Sequence, residues 1–114
     1  MAKLEKMIYG DFNSIMSDLH NGILSKSISA SYEDGSSYDV NGFKSVTRVY
    51  ERYSYIGSNR VSLTVNLSGT DGKYYLSIIT SGGSQAVFFK INTWGENSFL
   101  DSIREVVNKL GDKK

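Results

Sequence analysis

Two groups of side chains in this sequence have the types and spacing to do chemistry. The first is a single carboxylate, Glu51, inside the alternating run from Phe43 to Tyr55. If that alternation turns Glu51 toward the core opposite Val65, loss of water raises its pKa, the condition under which general acids and ligand anchors work. The structural alternative is a bulge in a long strand, or a pairing of Glu51 with a tyrosine hydroxyl or a basic group. It carries the greater weight, because ion-pair networks also perturb pKa values. The second group interleaves cations and aromatics. Arg48, Tyr50 and Arg52 come first, Tyr75 and Ile79 follow, and Phe88 and Lys90 come last. On one face of a sheet these would offer π surfaces for bases and charges for phosphates. The same face would equally suit a homodimer contact or packing by a terminus.

Other candidates resolve to structure. His20 is the sole histidine. It falls in the expected last turn of a first helix, where the dipole favours its protonated form, so capping or a surface role is expected. With no cysteine and one histidine, a thiolate or zinc site is not expected. Ser81-Gly82-Gly83-Ser84 could cradle an anion, but it joins two strands and opens no helix, so a hairpin turn is favoured. Glu33, Asp34 and Asp39 lack calcium-loop spacing and flank an Asp34-Gly35 turn. No P-loop, dinucleotide fingerprint, nucleophile elbow or zinc-protease motif occurs. Catalytic, cofactor and metal residues are therefore assigned to none.

Composition narrows the classes further. The 114 residues suit one domain, with 39% hydrophobic and 22% charged residues, which argues against disorder. A net charge of +1 gives no strong field for nucleic acid or membranes. The first nine residues place Lys3, Glu5 and Lys6 where a secretion signal needs apolar side chains, and no stretch is long and apolar enough to span a bilayer. Together with the missing cysteines this points to the cytoplasm. The Asn66-Leu67-Ser68 sequon is then fortuitous.

Three glycine-containing pairs position everything else. Asn41-Gly42, Asp71-Gly72 and Gly82-Gly83 each lie between alternating runs, the pattern of tight hairpin turns. They predict an antiparallel meander with strands over Ser27–Glu33, Ser36–Val40, Phe43–Tyr55, Arg60–Ser68, Lys73–Ser81 and Ser84–Asn92. An opening strand, Lys3–Tyr9, leads to Asp11, a helix N-cap. Phe12, Ile15, Met16, Leu19 and Ile23 recur at helical spacing, and Asn21-Gly22 marks the helix end. A second helix starts at the capping box Thr93-Trp94-Gly95-Glu96 and carries Leu100, Ile103, Val106, Val107 and Leu110 before Gly111 stops it. Residues 1–111 form one domain and 112–114 a frayed tail.

Turn length sets register. A two-residue Asp71-Gly72 turn pairs Leu67 with Leu76, Val65 with Ile78, Asn66 with Ser77 and Ser68 with Tyr75. For the preceding hairpin, a three-residue loop Gly57-Ser58-Asn59 places Val49 and Tyr53 among the leucines, whereas a two-residue loop places Arg48 and Arg52 there. The three-residue loop is preferred because it keeps the arginines in water. The inner face is then Val49, Tyr53, Val61, Leu63, Val65, Leu67, Leu76, Ile78, Val87, Phe89 and Ile91. Asp39 pairs with Lys44 outside, and Val40 with Phe43 inside.

The expected fold is α+β: a two-layer antiparallel meander of five to seven strands with N- and C-terminal amphipathic helices on one face. This strand-helix-meander-helix order resembles the helix-grip and TATA-binding-protein-like architectures, which host many functions. Glu51-Arg52-Tyr53-Ser54-Tyr55, Asn59-Arg60-Val61-Ser62-Leu63, Thr80-Ser81-Gly82-Gly83-Ser84-Gln85-Ala86 and Phe89-Lys90-Ile91-Asn92, followed by Gly95-Glu96, resemble a family of small uncharacterised proteins of Gram-positive bacteria, a domain of unknown function. The resemblance implies a bacterial cytosolic protein and brings no activity, cofactor or site residue with it.

The sequence reading is thus a non-enzymatic binding or interaction module that self-associates, with Glu51, Arg48, Tyr50, Arg52, Tyr75 and Phe88 as candidate contacts. The alternative is a carrier or enzyme for a small apolar ligand, with a cavity between the sheet and the last helix. A single-stranded nucleic-acid binder comes third. No cofactor and no membrane partner are expected.

Overall fold

The structure, a computed structural model, describes residues 2–26, 30–54, 59–82 and 103–110. Strand β1 (Ala2–Tyr9) is followed by helix α1 (Phe12–Ser25), then β2 (Ser31–Val40), β3 (Phe43–Ser54), β4 (Asn59–Thr70) and β5 (Lys73–Gly82). A final helical stretch, α2, covers 103–109. The five strands form one antiparallel sheet in the order β1-β5-β4-β3-β2, so the molecule is α+β with β4 at its centre.

The hairpin turns arise from the residues expected. Asn41 and Asp71 have φ of 52° and 55°, and Gly42 and Gly72 follow at 89° and 77°. Positive φ at both central positions gives the primed turn whose twist matches that of the strands. The β4–β5 register is the one derived from the turn: Leu67 faces Leu76, Val65 faces Ile78, Asn66 faces Ser77 and Ser68 faces Tyr75. Val61, Leu63, Val65, Leu67, Leu76 and Ile78 are all buried.

Helix α1 begins as its sequence dictates, with the Asp11 carboxylate accepting a 3.0 Å hydrogen bond from the Ser14 amide. Phe12, Ile15, Met16, Leu19 and Ile23 form its buried stripe. The helix does not stop at Asn21-Gly22, as expected, but continues to Ser25. Gly22 serves close packing instead: a Cβ there would lie 2.5 Å from Val106 Cγ1 of α2. Ile103, Val107 and Leu110 share the core cluster, and Lys26 pairs with Glu105 at 2.7 Å.

Strand β3 overturns the expected sidedness. Its partners on β4 run Arg52–Val61, Tyr50–Leu63, Arg48–Val65 and Val46–Leu67, so the even-numbered residues face the core. Ser54 pairs with Asn59, which leaves residues 55–58 as the connection rather than Gly57-Ser58-Asn59. Four connecting residues have the parity of two, and an odd change in register exchanges the two faces of a strand. Val49 and Glu51 consequently lie on the outer face, with Tyr53 at the same phase of the register. Asp39–Lys44 and Val40–Phe43 pair as expected, but the charged pair lies on the helix side, where Lys44 Nζ sits 5.9 Å from the Phe12 ring centre. Val40 and Phe43 are exposed.

The expected Asp34-Gly35 turn is likewise a bulge inside one continuous β2, where the register slips between Tyr32 and Asp34. Gly82 is a paired strand residue opposite Val61. The predicted strand with Val87, Phe88, Phe89 and Ile91, the capping box at Thr93–Glu96, Gly83, Tyr55, Gly111 and the 112–114 tail lie outside the described residues.

Candidate functional site

Turning the even residues of β3 inward places a phenol in the core. Tyr50 is 1% exposed, and a buried hydroxyl requires a partner. Helix α1 supplies it: His20 Nδ1 lies 2.8 Å from the Tyr50 hydroxyl. Extension of α1 to Ser25 puts His20 in mid-helix, away from the C-terminal carbonyls that would favour a charged ring. Its pKa falls below the ordinary histidine value, first through burial and then through the nearby Arg48 guanidinium. Burial pushes the Tyr50 phenol up, and Arg48 draws it part of the way back. In this bond Nδ1 either accepts the Tyr50 hydroxyl proton or donates to the hydroxyl oxygen, according to the ring tautomer.

The β2 bulge completes the cluster. With one extra residue at Glu33, Tyr32 and Gly35 fall on the same face. Tyr32 lies over Gly35, where a Cβ would be 2.5 Å from the tyrosine hydroxyl and 2.9 Å from the Thr47 carbonyl oxygen. The Tyr32 ring packs 5.7 Å from His20 and 5.6 Å from Tyr50, and Arg48 lies 5.9 Å from its centre. This geometry joins a cation to an aromatic face.

These groups edge an open groove between α1 and the β2–β3 hairpin. One compartment, of about 480 Å³, is lined by Asn13, Met16, Ser17, His20, Tyr32 and Arg48. A second, of about 330 Å³, runs on past Phe12, Ser37, Asp39 and Lys44, with Arg48 shared between the two. Lys44 is held by Asp39 at 2.9 Å. Among the described residues, no carboxylate pairs with Arg48. The groove therefore combines one uncompensated cation with aromatic and thioether surface.

The sequence-derived candidates divide between the two faces of the sheet. Arg48, Tyr50 and Arg52, expected outside, are on the helix side, and burial lowers the Arg52 pKa. Glu51, expected in the core, lies on the outer face between Ser31 and Ser62 and forms an ion pair with Arg60. The apolar environment that made it a candidate acid is absent. Tyr75 is on the outer face and 43% exposed. Phe88 lies outside the described residues. Cations and aromatics are thus not interleaved on one surface: Arg48 and Arg52 are separated from Tyr75 by the thickness of the sheet.

Sequence reasoning missed His20, Tyr32, Gly35 and Lys44 as neighbours of Arg48. One usable signal was present. Asn13, Met16, Ser17 and His20 follow helical spacing beside the core stripe, marking a second, mixed face of α1. The Tyr32–Gly35 contact had no such signal, because it depends on the bulge.

The chain matches the sequence profile of a family of unknown function, DUF6054, across residues 1–111, and it belongs to that family. No curated protein gives a significant match. Among the described residues, no helix is long and apolar enough to cross a membrane.

Proposed function

We propose that this chain is a small-molecule binding module whose ligand lies in the groove between α1 and the β2–β3 hairpin. The ligand is a small anion with a planar or apolar body. Its charged group meets Arg48, and its body packs on Tyr32, Met16 and Phe12. The observation that carries this reading is Arg48 itself, a guanidinium on the helix side of the sheet, set against the Tyr32 ring and without a carboxylate partner among the described residues. A groove of a few hundred Å³ has the size of small-ligand sites, and its lining sets the Tyr32, Met16 and Phe12 surfaces among polar side chains that can orient a ligand. Placement of both helices on one face, as in helix-grip proteins, belongs to this reading, as does a binding rather than a catalytic role.

Ligand-observed NMR with a panel of small aromatic carboxylates, phosphate esters and neutral isosteres tests it. The expected hits are anions that compete with one another, and Arg48→Gln weakens them by about tenfold or more, in line with loss of a charge-assisted hydrogen bond. Neutral hits that ignore Arg48→Gln would overturn the assignment.

A further inference from the structure

The outer face of the sheet, opposite the groove, is ordered in rows that cross all five strands. One row reads Lys3, Ile79, Thr64, Val49, Asp34 from β1 to β2. The next is Glu5, Ser77, Asn66, Thr47, Ser36, and the third is Met7, Tyr75, Ser68, Ser45, Tyr38. Each row is centred on β4, the middle strand. Rotating a second copy by a half-turn about an axis along β4 lays β1 over the partner's β2 and keeps every row over itself. Lys3 then meets the partner's Asp34, Ile79 meets the partner's Val49, and Met7 meets the partner's Tyr38. One pair of opposite charges and two apolar pairs fall into place under this single operation, while Glu5 meets the partner's Ser36 and Tyr75 the partner's Ser45. We infer that the outer face is a two-fold interface between two copies of this chain, packed sheet on sheet.

Three further observations agree. Met7, Tyr38, Tyr75 and Ile79 are between 39% and 58% exposed, an unusual concentration of large apolar side chains on one face. The polar residues at the centre already satisfy one another. Asn66 Nδ2 donates to Thr47 at 2.9 Å and to Ser45 at 3.3 Å, Ser68 donates to the Asn66 carbonyl at 2.7 Å, and the Ser45 and Ser68 hydroxyls are 2.8 Å apart. Polar groups bonded internally lose little when water is removed. Glu5 interacts with the Tyr75 hydroxyl, and Lys3 and Asp34 are the charges at the ends of their row. In extent, five strands about 4.8 Å apart and about 33 Å long give a face on the order of 800 Å², which is what each partner contributes to a standard stable interface.

Sedimentation velocity from low micromolar to near-millimolar protein tests the inference. The wild-type chain is expected to be a monomer–dimer mixture. Lys3→Asp and Asp34→Lys, each alone, set like charges opposite each other twice and weaken the dimer by about tenfold or more. Mixing the two variants restores dimerisation as a heterodimer, because one then carries acid at both positions and the other base. Far-ultraviolet dichroism and melting curves check that both variants fold, and Ile79→Arg gives an independent disruption at the apolar centre. A strict monomer, a dimer that none of these substitutions weakens, or a mixture no tighter than its components would overturn it.

Discussion

Hairpin β2–β3 and hairpin β4–β5 start from the same turn chemistry and end with opposite roles. Both turn on a residue of positive φ followed by glycine. In β4–β5 the inward residues from Val61 to Leu67 and from Tyr74 to Thr80 are buried, most of them in one core cluster with residues of α1 and α2. In β2–β3 the outer strand is exposed along its whole length, and its partner offers the helix side lysine, valine, arginine and tyrosine in turn. Hairpin β4–β5 is the core. Hairpin β2–β3 forms one wall of a groove beside α1. What distinguishes them is composition on the inward phase: an uncharged, mostly aliphatic series excludes water, whereas the Lys44–Val46–Arg48–Tyr50 series keeps one edge wet while its phenol is anchored inside.

The contrast predicts a gradient of mutational effects. Leu76→Ala, in the sealed half, should cost about 3 kcal/mol by urea denaturation, as large-to-small core changes do. In protein dilute enough to be monomeric, Val49→Ala should cost under about 1 kcal/mol, because Val49 lies on the outer face. Equal losses at the two positions would return β3 to the opposite sidedness. Next in size is Gly35→Ala, which forces a methyl against the Tyr32 hydroxyl and the Thr47 carbonyl and should cost about 2 kcal/mol. Part of that loss should vanish in a Tyr32→Ala background, since the two positions are coupled by contact. Tyr50→Phe keeps the packing but deprives His20 of its partner, for a loss of about 1 kcal/mol.

The smallest effect depends on pH. The folded His20 has a pKa below its unfolded value, so the unfolded chain takes up the proton first as pH falls. Its contribution is complete above a pH of about 6.5 and is lost progressively below that. Thermal melts of the wild type should therefore fall further between neutral and mildly acidic pH than those of His20→Gln.

Legibility in the sequence followed the same division. The β4–β5 register was readable because one phase of each strand is aliphatic and a two-residue turn leaves no freedom. The buried stripe of α1 and its Asp11 cap were readable for similar reasons. In β3 each phase offers apolar and charged residues, Val46 and Tyr50 with two arginines on one, Phe43, Val49 and Tyr53 with Glu51 on the other. Hydrophobic pattern could not choose between them, so the choice rested on the length of the connecting loop. Preferring dry leucines over buried arginines was reasonable for a closed core and wrong for a sheet edge beside a groove, where a guanidinium can remain half in water. The bulge was hidden for another reason: aspartate followed by glycine suits a turn and a bulge alike.

The inward placement of Tyr50 against His20 is the claim on which the groove depends, and the sole histidine reports on it without ambiguity. An NMR pH titration of the His20 imidazole, with nuclear Overhauser contacts recorded from its ring protons, is the direct measurement. A midpoint below about 6.5 with contacts to the Tyr32 and Tyr50 rings is the predicted result. A ring that titrates at or above the ordinary histidine value and shows no aromatic neighbours would contradict it.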